Sequence, residues 1–270
     1  MKKLKRKNKY LIEIDGPKID TVEMLKYRRE LFLIKKDMAK EYDSTIIDIY
    51  KNNLYLLVSN PTYYIEKLQN AINMLGEKYF LKYSFNSFSL ANNFIKNIES
   101  NNYKRFERLE KKHEFLKTSP FLLKNTKDRE NTLRIVEASV AENVGLIKSI
   151  PKEYHDDILG DVMRTVGKGG NLQELTEALS KRSNITSGRI DLIARDQTAK
   201  ATALLDQQHA KDFGFRRGFW KKSIAGKTHR ASHAEADGKE FDLEKGCFID
   251  GKYILPKMEI NCKCSYRLVM

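Results

Sequence analysis

Two histidines and two cysteines near the C-terminal end carry the side chains best suited to chemistry. His229 and His233 stand four residues apart, so one helical turn sets both imidazoles on the same side. Cys262 and Cys264 share one face of an alternating segment. Imidazoles and thiolates in a tetrahedron suit Zn2+, and these four residues form a candidate Cys2His2 set, with His233, Cys262 and Cys264 its strongest members. The cysteine spacing argues against a metal, because zinc cysteines usually stand further apart and a turn must gather residues only two apart. Buried cysteine also serves as a small hydrophobe. A Cys262–Cys264 disulfide is disfavoured, since strand geometry holds the two Cα atoms at the limit of bridging distance. The expected cofactor is therefore none, with structural zinc at these residues as the alternative.

Arg230, His233 and Asp237 also suit acid/base work, but a nucleophile and an orienting carboxylate must both lie beside the histidine. The expectation is structural: Arg230 and Asp237 as an ion pair fixing a loop, with His233 hydrogen-bonded inside. No catalytic residue is assigned. Upstream, Arg195-Asp196-Gln197 lies within a helix, where Gln197 falls near the seam facing the strands. Trp220 is the one tryptophan and is expected to anchor the core.

Long helices must position these groups. Asp20 with Glu23 reads as a capping pair, and Met24/Leu25, Leu31/Phe32 and Met38/Ala39 recur every seven residues behind it. Asn60-Pro61 opens a second helix whose apolar residues Ile65, Leu68, Ile72 and Leu75 run to an expected stop at Gly76. Thr45 to Val58 fits helix or strand. The aromatics from Tyr79 to Phe94, including Phe85 and Phe88, are expected in the core. A charged helix follows over 101–117. Leu133, Val136, Val140, Val144 and Ile147 mark a helix over 129–149 that Pro151 should close, and Tyr154, Ile158, Val162 and Val166 continue on another until Gly167. The glycine run at 167–170 lacks phosphate-loop spacing and reads as a linker. A short helix at Leu172–Leu179 and a longer one over 186–213, capped by Gly214, complete the helical part. After Gly214 the period changes to two, and Asp250-Gly251 marks a two-residue hairpin.

The fold class expected is α+β: a mainly helical N-terminal portion and a small C-terminal helix-plus-antiparallel-sheet domain. The expected divisions are a basic flexible arm at 1–18, a helical region at 19–125 and a domain at 126–270, with helices over 129–213 and strands with a hairpin over 214–270.

The chain has 270 residues and a net charge of +14, with 41% hydrophobic and 32% charged residues. That composition suits a globular protein, and no apolar run approaches the roughly 18 residues of a membrane span. No secretion leader is expected, and three cysteines suit a reducing interior. The basic arm carries Lys2, Lys3, Lys5, Arg6, Lys7 and Lys9 within its first ten residues. Such a segment can lie on phosphates or on an acidic protein surface, or simply serve as a solubilising tail. Lysine neutralises a backbone rather than reading bases.

Several C-terminal segments follow one another in order. Ala194-Arg195-Asp196-Gln197-Thr198-Ala199-Lys200 is followed by Gly214 to Trp220 and by Arg230-Ala231-Ser232-His233. Asp237-Gly238-Lys239-Glu240-Phe241, Tyr253-Ile254-Leu255-Pro256 and Ile260-Asn261-Cys262-Lys263-Cys264 come next. This set resembles the phage head morphogenesis family named after the F protein of phage Mu, which includes minor head proteins of Bacillus phages. The resemblance covers residues 130 to 267, and its opening segment is Asn143 to Pro151. It implies a structural motif formed by Arg195, Asp196, Gln197, Trp220, Arg230, His233, Asp237 and Gly238. Gly226 and Thr228 depart from the family's acidic residue and arginine. Lys257 stands where the family usually has glycine, and Lys263 where it has arginine.

What the resemblance implies is a minor head protein of a tailed bacteriophage, acting in procapsid assembly and in genome packaging or ejection. The implied partners are the portal protein, the scaffold or major capsid protein and phage double-stranded DNA, with no membrane. Its place would be the capsid interior near the portal, reached through the host cytoplasm during assembly. The alternative is an enzyme, either a metal-dependent nuclease or a toxin-type transferase. The E-x-E and Q-x-E pairs of that transferase class are missing from this sequence.

Overall fold

The computed structural model describes residues 13–113, 126–223 and 230–270. The fold is α+β, with long helices over the N-terminal portion and a small region of antiparallel strands at the C-terminus. The strands are β1 (Glu13–Asp15), β2 (Arg217–Lys221), β3 (Glu240–Asp242), β4 (Cys247–Ile249), β5 (Lys252–Ile254) and β6 (Ser265–Val269). The helices are α1 (Thr21–Asn52), α2 (Leu54–Ser59), α3 (Pro61–Lys112), α4 (Thr126–Gly167), α5 (Leu172–Asp212) and α6 (Ala231–Glu235). None of them is long and apolar enough to cross a membrane.

Side-chain caps open α1 and α3 as expected, and α5 too. Asp20 Oδ1 accepts the Glu23 N–H at 3.1 Å, Asn60 Oδ1 that of Tyr63 at 3.2 Å and Asn171 Oδ1 that of Glu174 at 3.0 Å. The expected stops fail at two places. α3 runs through Gly76 and α4 through Pro151. The proline gives up one backbone hydrogen bond, yet Ile147, Ile150, Tyr154 and Ile158 on either side of it are buried, and that packing holds one continuous helix. The two helices expected over 172–213 are likewise one. Thr45 to Val58 is helical, divided between α1 and α2 with a break at Asn53.

The chain forms two compact units, each drawn from residues on both sides of position 125. The described residues of one lie within Met1–Glu23, Phe94–Ser139 and Arg195–Met270, and those of the other within Met24–Asn93 and Val140–Ala194. The second unit is helical. Its interior is rich in tyrosine: Tyr27 donates to Asn143 Oδ1 at 3.0 Å, Tyr50 to the Gly170 carbonyl at 2.7 Å, and the Tyr42 and Tyr154 rings meet edge-on at 5.3 Å. Tyr79 and Tyr83 are buried here as expected, whereas Phe85 and Phe88 are 87% and 62% exposed. They fall on the opposite side of α3 from the tyrosines, because the apolar positions exceed what one helix face can bury.

The first unit holds the sheets. One has the strand order β1-β6-β2-β3, all antiparallel, and β4-β5 is a separate hairpin. Glu13–Asp15, expected within the flexible arm, pair with Arg267–Val269 instead. Ile14 completes the apolar face of β6 over a core that includes Phe213, Phe215, Trp220, Phe241 and Tyr266. Gly214 ends α5 at φ 87°, and the Phe215 N–H reaches back to the Ala210 carbonyl at 3.0 Å. Asp250 and Gly251 both take positive φ, 51° and 78°, as a two-residue hairpin turn requires.

Candidate metal centre

Three of the four predicted ligands come together. His233 lies on α6, and Cys262 and Cys264 lie on the segment leading into β6. His233 Nδ1 is 3.5 Å from Cys262 Sγ and 3.8 Å from Cys264 Sγ, and all three donor atoms lie within 4.8 Å of one another. All three residues are buried, at 3%, 6% and 4% exposure. His229 lies outside the described residues, as do Gly226, Thr228 and the basic residues Lys2, Lys3, Lys5, Arg6, Lys7 and Lys9.

A turn gathers the cysteines. Asn261 takes φ 63°, and its N–H donates to Asp196 Oδ1 at 3.1 Å, while the Cys262 N–H donates to the Glu259 carbonyl at 2.9 Å. Asp196, itself paired with Lys200 at 3.2 Å, thus ties α5 to the cysteine loop. Its neighbour Gln197 is buried, and Arg195 is half-buried with its Nε lacking a hydrogen-bond partner. Lys257, which stands where the resemblance expects glycine, takes φ 76°. That left-handed backbone is the physical reason glycine suits the position.

Arg230 and Asp237, expected to pair with each other, take separate partners. Arg230 donates to the Ile260 carbonyl at 3.0 Å and lies 3.5 Å from Glu259, while Asp237 accepts the Lys222 N–H at 2.8 Å. Beside it the Gly238 N–H, at φ 78°, donates to the Trp220 carbonyl at 2.8 Å. The two ends of this loop therefore have different tasks: Arg230 braces the cysteine turn, and Asp237-Gly238 hold the end of β2.

Glu259 is the residue that sequence reasoning missed. Its carboxylate meets Lys252 at 2.6 Å, Arg230 at 3.5 Å and His233 Nε2 at 3.1 Å. Lys252 first, then Arg230 and His233, hold its pKa below the ordinary carboxylate value. The Glu259 carboxylate can accept from Nε2–H, and Nδ1 then faces the two sulfurs. The clue in the sequence was its place between Pro256 and Cys262, but a glutamate there reads as surface charge until the fold is known.

Contact between the two sulfurs moves their acidities in opposite directions. Cys262 is held below the ordinary thiol pKa, chiefly because Cys264 S–H donates to it, and Cys264 is raised by the same contact and by burial. Trp220 closes the site, its ring edge-on to His233 at 5.2 Å. The buried indole is among the groups that favour a Cys264 thiolate.

All of these side chains lie in one stretch that has relatives. Residues 156–267 match the family model of Phage Mu protein F like protein. The Mu F-like segment contains each described residue of the motif and of the cluster, whereas Asn143 to Pro151 lies outside it. An uncharacterized protein of Haemophilus influenzae is 28% identical over 176 residues, a stretch that spans 65% of this chain and 38% of that protein. The chain thus spans well under half of the length of the curated relative it matches. No solved structure matches the chain. The site thus lies in the stretch that is similar to Phage Mu protein F like protein.

Proposed function

We propose that this protein is a minor head component of a tailed bacteriophage, joining the procapsid beside the portal and acting in genome packaging or ejection. The observation that carries the reading is the Mu F-like match over residues 156–267. Two physical features support it. The net charge of +14 favours a polyanionic partner such as double-stranded DNA. On α3, Met74, Leu81, Phe85 and Phe88 expose large apolar side chains at spacings of seven, four and three, which suits a chain that must dock in an assembly. The scaffold, the major capsid protein and the portal are the partners this reading requires, met in the host cytoplasm before the protein is enclosed in the capsid.

The protein acts in this reading by holding other components, not by turning over a substrate. Purified procapsids and virions of the encoding phage, analysed by mass spectrometry, should contain the chain in few copies, and deletion should leave heads with less DNA or lower infectivity. Its absence from both particles overturns the proposal. The nuclease alternative has one observation in its favour, the gathered His233, Cys262 and Cys264. Their burial opposes access by a phosphodiester, and plasmid cleavage that His233→Ala abolishes would restore it.

A further inference from the structure

We propose that His233 Nδ1, Cys262 Sγ and Cys264 Sγ hold one Zn2+, with Glu259 as a positioning residue that orients the imidazole. The inference stands apart from the role in the head, since it rests on the geometry of the cluster alone. Zn–S bonds of about 2.3 Å and Zn–N bonds of about 2.0 Å at tetrahedral angles set sulfur and nitrogen about 3.6 Å apart. The separations here are 3.5 and 3.8 Å, so one ion fits between the donors with little movement of the chain. Two thiolates and an imidazole are a soft to borderline donor set, which selects Zn2+ over Mg2+ or Ca2+.

Independent features point the same way. The Glu259–His233 contact at 3.1 Å is the outer hydrogen bond that metal-bound histidines make, leaving the opposite nitrogen free for the ion. The Trp220 ring, buried at 1% exposure, stands edge-on to His233 at 5.2 Å and closes the cluster from solvent. Such an ion would join α6 to the loop before β6 and so fasten the two segments together. Three protein donors leave the tetrahedral fourth position to water or to a further donor.

A cysteine nucleophile is the competing use of these atoms, because Cys262, His233 and Glu259 also form a Cys-His-Glu line. The second sulfur at 3.8 Å from the same nitrogen favours the ion. Full-length protein purified under reducing conditions without chelators should carry about one zinc per chain by elemental analysis. Cys264→Ser should lose most of it, and Co2+ should give thiolate-to-metal charge-transfer absorption in the wild type only. Because that variant removes a core side chain, Glu259→Gln is the second probe. It should weaken Zn2+ affinity about 10–100-fold in a chelator competition while circular dichroism stays unchanged. The proposal falls if folded, reduced wild type binds no zinc even after Zn2+ is added. It also falls if Glu259→Gln binds as tightly as wild type, or if iodoacetamide alkylates Cys262 equally fast with and without Zn2+.

Discussion

Asp206 concentrates the polar chemistry of the first unit's interior. Its side chain is fully buried, pairs with Arg105, accepts Tyr266 O–H at 2.6 Å and accepts Asn102 Nδ2–H at 3.3 Å. Burial raises its pKa despite Arg105. Removing one member of such a pair strands the other, so Asp206→Ala should cost about 3–5 kcal/mol in urea unfolding, more than the loss of one hydrogen bond in Tyr266→Phe at about 1.5–3 kcal/mol. His209 extends the network, donating from Nδ1 to Asn102 Oδ1 at 2.6 Å. Burial first and Arg105 second lower its pKa from 6.5 to about 4. Between those values the unfolded chain carries a proton that the folded chain does not, so ΔG of unfolding falls as pH drops from 6.5 toward 4 and no further from this group. The loss approaches about 3 kcal/mol. His209→Gln keeps a donor but cannot titrate, and the fall in stability from pH 7 to 4.5 should shrink by about 2–3 kcal/mol, read from urea midpoints. An equal fall in both proteins would show that His209 does not govern the acid limb.

At the scale of elements, Gly76 shows how a residue that reads as a stop can serve a helix. A Cβ there would lie 2.6 Å from His155 Nδ1, which also meets Tyr42 O–H at 3.2 Å. The glycine is needed for close approach within the helical unit. Gly76→Ala should therefore destabilise by about 1–3 kcal/mol although alanine is the better helix former. In a His155→Ala background the same change should turn stabilising, by about 1 kcal/mol, and a sign that stays negative would refute this account. The exposed side of α3 makes the complementary case. Phe85→Ser should leave the unfolding midpoint within about 0.5 kcal/mol of wild type, as surface changes do. In the proposed role it should nevertheless lower the amount of protein found in purified procapsids, and unchanged incorporation would free this face of a docking task.

For the whole molecule, the decisive contact joins its two ends. β1 pairs with β6, the Gly16 N–H donates to the Tyr266 carbonyl at 2.7 Å, Lys257 donates to the Pro17 carbonyl, and Arg267 meets Glu13 at 2.9 Å. The first unit thus depends on residues 13–17 as much as on the C-terminal segment. Truncation through residue 20 should lower unfolding stability, whereas removal of residues 1–10 should spare it and weaken retention of double-stranded DNA. Retention should also fall steeply as salt rises, since phosphate neutralisation releases counterions. Salt-independent retention, or retention indifferent to the first ten residues, would remove the arm from the DNA-contact proposal.

Local signals were enough for the fold class, the helix caps at Asp20 and Asn60, the Gly214 end and the Asp250-Gly251 turn, because each depends on residues within one or two turns of chain. They also brought His233, Cys262 and Cys264 forward as a group, since residue type alone marks metal donors. Local signals misjudged Gly76, Pro151 and Phe85, where burial by distant residues outweighs propensity or leaves an apolar side chain without a place inside. The role of Glu259 was out of reach for the same reason: its partners Arg230, His233 and Lys252 come from α6, its preceding loop and β5. Only tertiary structure turns a surface-looking carboxylate into the group that aims an imidazole, because hydrogen-bond direction depends on atoms that sequence separates and folding brings together.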